Sequence, residues 1–243
     1  MQRVISFIGP RNSGKTTTVS ELTRLLAGKS ISVAVLKHIE RGGLEYNRNK
    51  DSAKHFEHGA QLSIASDDET ASVLVHLKDD DDPGSLIDRF LFDLDIVLVE
   101  GYSKSNMPKA VFLTGNADED KRFRGVKNIA CFIISPDSPL TQKSKNARSA
   151  GEIMVPIIDE IMDSESDLAP TFFFSDEIED LGEFILSSPL LCYKPDKAIL
   201  YVNGRKIYIK DFVQDFIKGA VAGMISSLRG TRDARFIELK IRN

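Results

Sequence analysis

Apolar positions along the chain gather into short unbroken runs, separated by stretches of helical period. Val4-Ile5-Ser6-Phe7-Ile8, Ile31 to Leu36, Ile96-Val97-Leu98-Val99, 110–113 and 129–134 are such runs. They read as strands buried on both faces. Between the first two, Val19, Leu22, Leu25 and Leu26 recur at helical spacing, with Gly28 as the stop. A helix over 51–58 closed by Gly59, strands over 61–65 and 71–77, and a helix over 86–92 continue the alternation. Val155-Pro156-Ile157-Ile158 reads as a final short edge element and Asp176 to Leu186 as a closing helix. Strands alternating with helices predict an α/β fold of three layers around a mostly parallel sheet.

The pattern changes after 187. Ser187 to Lys197 is polar and holds two prolines, which predicts a boundary between a domain over 1–187 and a module over 198–243. In that module two alternating runs flank Asn203-Gly204, a hairpin signal because both turn positions need positive φ. Asp211 is the expected N-cap of a helix with Phe212, Phe216, Ala220, Met224 and Leu228 on one face. Phe236 to Ile241 reads as a third strand, giving ββαβ. So small a unit is expected to pack on the first domain or on a second copy, and Gly219 and Gly223 permit close helix approach.

Composition narrows the classes. Hydrophobic content of 42 % and charged content of 28 % are those of a soluble globular protein. A net charge of −4 argues against nucleic acid or an anionic membrane as partner. The chain opens on a strand, not a leader, and no apolar run approaches the roughly 18 residues of a membrane span, so a cytoplasmic protein is expected. Cys131 and Cys192 suggest reduced thiols rather than a disulfide framework or zinc site.

The chemistry sits after the first strand. Gly9-Pro10-Arg11-Asn12-Ser13-Gly14-Lys15-Thr16-Thr17 matches G-x-x-x-x-G-K-S/T, between a strand and a helix. Gly9 and Gly14 stand where a Cβ would obstruct wrapping of a polyphosphate by backbone N–H groups. The helix N-terminus faces the anion, Lys15 reaches the β and γ phosphates, and the Thr16 hydroxyl can ligate Mg²⁺. This predicts a P-loop nucleotide-binding domain. Because ligands bind beyond the carboxyl ends of parallel strands, Lys37-His38, Glu100-Gly101 and Ser135-Pro136-Asp137 are the other candidates. Glu100, ending a buried strand, can hold Mg²⁺ or orient water; Lys37, His38, Lys50 and Asp51 can add charge or a metal contact beside the phosphates. Asp137 can accept from a guanine edge or simply form a turn. Asp79 to Asp82 is a solvated turn without ligand spacing. His55, His58 and His76 read as surface or packing residues.

In order, Gly9 to Thr17, Val35-Leu36-Lys37-His38, Lys50-Asp51-Ser52 with Gly59-Ala60, Val97 to Tyr102 and Pro108-Lys109 resemble the molybdopterin-guanine dinucleotide biosynthesis protein B (MobB) family over roughly 1–160. The resemblance implies a dimeric GTP-binding adaptor with weak GTPase activity, serving the enzyme that attaches GMP to molybdopterin. It implies GTP and Mg²⁺ as ligands, with Gly9, Asn12, Ser13, Gly14, Lys15, Thr16 and Thr17 around the phosphates. Lys37, His38 and Lys50 would line the anionic site, and Thr16, Asp51 and Glu100 would flank the metal, with Lys15, Asp51 and Glu100 serving hydrolysis. The chain departs from the family at Ile39-Glu40, Tyr46, Asn49 and His58, and its tail resembles extensions of archaeal members. Base choice is inherited from the resemblance, since no N-K-x-D motif occurs. Other readings are a small-molecule kinase with Lys121-Arg122-Phe123-Arg124 as a basic lid, a metal-insertion GTPase, or a non-catalytic nucleotide scaffold.

Overall fold

The unbroken apolar runs form the strands they predict. The structure, a computed structural model, describes residues 2–39, 51–77, 82–144, 146–161, 170–193, 198–202, 205–228 and 237–239. The first half contains β1 (Arg3–Ile8), α1 (Lys15–Gly28), β2 (Val33–Lys37), α2 (Asp51–Glu57), β3 (Leu62–Ser66), β4 (Ala71–Val75) and α3 (Pro83–Phe90). Then come β5 (Ile96–Glu100), β6 (Lys109–Leu113), α4 (Ala117–Asp120), β7 (Ile129–Ile134), α5 (Pro139–Lys143), α6 (Ala147–Ile153) and α7 (Val155–Ile161). β8 (Phe172–Phe174) and α8 (Ile178–Ser187) follow, and β9 (Leu200–Val202), β10 (Arg205–Ile207) and α9 (Asp211–Ile225) lie beyond them.

Six strands form one sheet in the order β2-β5-β1-β6-β7-β8, with every pairing parallel. Alternate residues of each strand feed opposite layers, as the pleat requires. Ile5, Phe7, Ile96, Leu98, Ala110 and Phe112 pack against α1 and α8. Val4, Ala34, Val97 and Val99 pack with Ile87 of α3, and Val111, Leu113, Phe132 and Ile134 with α5, α6 and α7. β1 therefore lies inside the sheet, and its carboxyl end opens toward β5 on one side and β6 on the other. β3 and β4 pair antiparallel as a separate ribbon, tied to α2 by a 2.8 Å bond from the Ser63 hydroxyl to the Ser52 carbonyl.

Two expectations are corrected. Val155–Ile161 is a helix, not an edge strand. Met154, Ile158 and Ile161, all buried, recur at helical spacing, and Pro156 is tolerated in a first turn where its missing N–H has no partner to lose. The edge strand is instead β8, three phenylalanines paired with Phe132 to Ile134. At the start of α9, Lys210 is the N-cap and Asp211 the first helical residue, where its charge still suits the helix dipole.

The predicted linker begins with structure. Pro189–Leu191 forms a 3-10 turn, and Tyr193 N–H donates to the Gln2 carbonyl at 2.9 Å while its hydroxyl donates to Asp88 at 3.1 Å. The first body thus extends to Tyr193. β9 and β10 pair antiparallel as the hairpin predicts, although Asn203-Gly204 lies outside the described residues. Of the predicted third strand, residues 237–239 are described and carry no strand assignment.

Candidate functional site

The Gly9–Thr16 loop joins the end of β1 to the start of α1. Gly14 is the N-cap of α1 at φ 91°, a left-handed value that glycine adopts without a Cβ penalty. A Cβ on Gly9 would lie 2.6 Å from Phe112 Cβ, so the loop starts flush against β6. Ser13 is buried, Asn12 sits exposed at φ 59°, and Thr16 and Thr17 are exposed on the first turn of α1. Lys15 folds over the loop. Its ammonium donates to the Gly9 carbonyl at 3.0 Å, to the Pro10 carbonyl and to the Ser13 hydroxyl at 3.2 Å. Burial holds this ammonium below the ordinary lysine range; Glu100 pulls it back up and Lys37 adds to the lowering.

Three side chains converge beside the loop. Thr16 Oγ1 donates to Glu100 Oε1 at 2.9 Å, and Lys37 Nζ lies 3.1 Å from the same carboxylate oxygen and 3.4 Å from Thr16 Oγ1. Register explains the meeting. Lys37 and Glu100 are directly paired across β2 and β5, and both follow the alternation that faces α1. A hydroxyl and a carboxylate oxygen at that spacing are hard donors of the kind Mg²⁺ takes, and the set is open enough for water and phosphate to supply the remainder. Among the described residues no cluster of three His, Cys, Asp or Glu side chains forms.

The other candidates are scattered. His38 continues β2, its N–H donating to the Glu100 carbonyl at 2.8 Å, but its ring lies 4.6 Å from that of Tyr102. Asp51 starts α2, largely exposed, and pairs with Lys54 at 3.2 Å. Lys50 lies outside the described residues. Asp137 is exposed in the turn after β7. That turn lies against the loop, since a Cβ on Gly14 would be 3.2 Å from Pro136 Cδ. Next to it the buried Ser135 hydroxyl has no hydrogen-bond partner among the described residues. Lys121–Phe123 forms a 3-10 turn whose Phe123 packs under β6 and β7.

Ser6 and Asp120, which shape these strand ends, escaped the motif reading, and Lys109 entered it only through Pro108-Lys109, with no role attached. Ser6, fully buried in β1, donates to the Gly101 carbonyl at 2.5 Å; a lone hydroxyl in an apolar strand is its only sequence signal. Asp120 accepts from the Thr114 N–H at 2.9 Å, the Thr114 hydroxyl at 3.0 Å and the Gly115 N–H at 2.9 Å, fixing the turn after β6. Burial nevertheless raises its carboxyl above the usual range. Lys109 is fully buried, and its ammonium donates to the carbonyls of Ser105 (2.6 Å), Met107 (2.9 Å) and Lys127 (3.0 Å). Desolvation lowers its pKa.

The model of the family described as molybdopterin guanine dinucleotide synthesis protein B matches residues 4–135, more than half of the chain. The chain belongs to the MobB family. A probable molybdopterin-guanine dinucleotide biosynthesis adapter protein of Bacillus subtilis (strain 168) is 29 % identical over 143 residues, 57 % of this chain and 80 % of that protein. An adapter protein of the same description from Haemophilus influenzae is 32 % identical over 112 residues, 44 % of this chain and 60 % of the relative. The chain spans 50 % of a putative adapter protein of Methanocaldococcus jannaschii, at 26 % identity. Among solved structures, a molybdopterin-guanine biosynthesis protein B superposes with a TM-score of 0.52 at 23 % identity, over 76 % of this chain and 97 % of that one. The Bacillus subtilis MobB structure gives 0.52 at 20 % identity, over 79 % and 99 %. The MobB match falls on β1 through β7, which carry the loop and the Thr16–Glu100–Lys37 cluster. A role in molybdenum cofactor biosynthesis, alongside the enzymes of that route, follows from the family and its relatives.

Proposed function

We propose that the chain binds Mg²⁺-GTP and serves as an accessory protein in the guanylylation of molybdopterin. The observation that carries this reading is the meeting of Thr16, Glu100 and Lys37 beside the Gly9–Thr16 loop. Lys15 would exchange the Gly9 and Pro10 carbonyls for β and γ phosphate oxygens, a charge-assisted contact stronger than those it gives up. Thr16 and Glu100 would hold Mg²⁺, which supplies charge neutralisation at the terminal phosphates. Lys37, released from Glu100 by the metal, would turn to the phosphate. The loop faces the N-terminus of α1, whose N–H groups favour the anion. The unpartnered Ser135 hydroxyl and Asp137 flank the other side of the loop and suit the nucleoside. Hydrolysis would be slow, as the resemblance to the family implies, with Lys15, Asp51 and Glu100 serving it. The partner would be the GMP-attaching transferase with its molybdopterin, engaged by a homodimer.

Titration calorimetry with Mg²⁺ tests the nucleotide half: GTP should bind at least about tenfold more tightly than ATP, and equal affinity refutes the guanine choice. Lys15→Ala should abolish triphosphate binding, and retained affinity refutes the placement of the phosphates. Pull-down of the transferase with and without molybdopterin tests the adaptor half, and failure under both conditions refutes it.

A further inference from the structure

A cavity of about 900 Å³ opens on the opposite face of the sheet from α1, between α3 and the segment after β5. Its floor is apolar: Val4 and Met107 belong to the cluster under α3, and Tyr102 and Tyr193 pack against that cluster. His38 and Asp82 stand on its wall. The walls are built rather than incidental. Asp82 caps α3, accepting from the Ser85 N–H at 2.7 Å, which fixes its carboxylate. Tyr193 is tied to Asp88 and to Gln2. The buried Lys109 ammonium gathers the Ser105 and Met107 carbonyls and so holds the 103–108 wall in place. Gly101 at φ 98° and Tyr102 at φ 57° turn the chain sharply after Glu100, and a Cβ on Gly101 would come within 3.0 Å of His38 Cβ. Left-handed backbone at a tyrosine is strained, and the packing around it sustains the strain. Burial, then the charge of Asp82, raise the Tyr102 hydroxyl above its ordinary pKa.

Lys37 and Glu100 face α1, while the adjoining His38 and Tyr102 meet on the cavity side, so the two sites share the ends of β2 and β5. A flat ring system matches an apolar, tyrosine-bearing floor. A fixed carboxylate accepts well from the paired N–H donors of a 2-amino-4-oxo edge. We propose that this cavity binds a pterin-class heterocycle, with its amino edge on Asp82 and its ring against Tyr102. The choice of pterin among flat heterocycles rests on the function proposed above. Guanine carries the same edge, but a nucleotide held as proposed above would have its nucleoside side at Ser135 and Asp137, and the β7 end that carries them lies across β1 from this cavity.

The test is fluorescence titration of the full chain with 6-carboxypterin, whose emission is not overlapped by tryptophan because the chain has none. Saturable quenching is expected. Tyr102→Gly removes the ring and relieves the backbone, and Ser103→Leu obstructs the wall without adding a fluorophore; each should weaken the probe by at least about tenfold and leave GTP affinity within about threefold. Guanosine in excess should not displace the probe. No saturation below about 1 mM, unchanged affinity in both variants, or displacement by guanosine would overturn the proposal. Binding of 6-carboxypterin without GTP would keep the cavity and remove the nucleotide reading; GTP binding without the pterin would remove the cavity alone.

Discussion

The sheet domain and the hairpin–helix tail obey the same local rules and reach opposite results. In the central strands of the sheet, the apolar residues that patterning assigns to the interior find one: Ile5, Phe7, Leu98, Phe112 and Ile133 are fully buried, while Val35 of the edge strand β2 stays exposed. In the tail, Phe212, Phe216, Met224 and Leu228 follow a helical stripe just as regular, yet remain 71 %, 74 %, 76 % and 57 % exposed. A Cβ added to Gly219 or Gly223 would meet nothing within 4 Å. Amphipathic pattern specifies an element and the face it wants covered; it does not supply the cover. In the sheet domain even the charged exceptions are accommodated, as the three carbonyls around Lys109 show.

That contrast can be broken at graded points. Lys109→Met should cause the largest loss, roughly 3 kcal/mol in urea unfolding, because several buried carbonyls lose their donor at once. A loss under about 1 kcal/mol would show that the 103–108 segment is held by other means. Gly9→Ala should be next, at about 2 kcal/mol, since its methyl group meets Phe112 Cβ at 2.6 Å. The third effect is a pH dependence. Desolvation lowers the folded pKa of Lys109, so between that value and the ordinary 10.5 the unfolded chain binds more protons. Stability contributed by this group therefore rises with pH through that window, by at most about 1.4 kcal/mol per pH unit, and is lost as pH falls through the folded pKa. Wild type should gain on Lys109→Met in paired melts as pH approaches 10.5, and parallel profiles would refute the assignment. Smallest of all, Phe216→Ser should change unfolding of the sheet domain by under about 0.5 kcal/mol. A loss as large as that of Gly9→Ala would mean the tail belongs to the same cooperative unit.

Much of the candidate site's geometry was legible because the loop and the strand ends are read by spacing alone. Gly9 to Thr16, Lys37 and Glu100 are local signals, and parallel pairing brings the last two into register. What spacing does not reveal is direction. His38 looks like a neighbour of the phosphates in sequence, but the pleat sends its ring toward Tyr102 on the other face. Asp51 follows a segment whose course no local pattern dictates, and it stands with Lys54. The edge strand was misplaced for a related reason. Val155 to Ile158 and Thr171 to Phe174 are both short apolar stretches, and a run of four does not discriminate strand from buried helix. Met154, Ile158 and Ile161 decide it only when read over two turns. Asp120 and Lys109 were not identifiable as organisers, since a buried charge is recognised by the carbonyls and amides that surround it.

The two cysteines offer a handle of a different kind. Cys131 is fully buried in β7 and its thiol is pushed far up, so it is a poor nucleophile toward alkylating reagents. Cys192 is partly exposed, bridges to Arg3 of β1 and accepts from the Arg3 guanidinium at 3.4 Å. A maleimide dye should therefore modify one position in the native chain without any substitution. That position is the strap fastening residues 188–193 to the first strand, on the wall of the cavity beneath α3. Labelling rate would then report whether the strap is fastened.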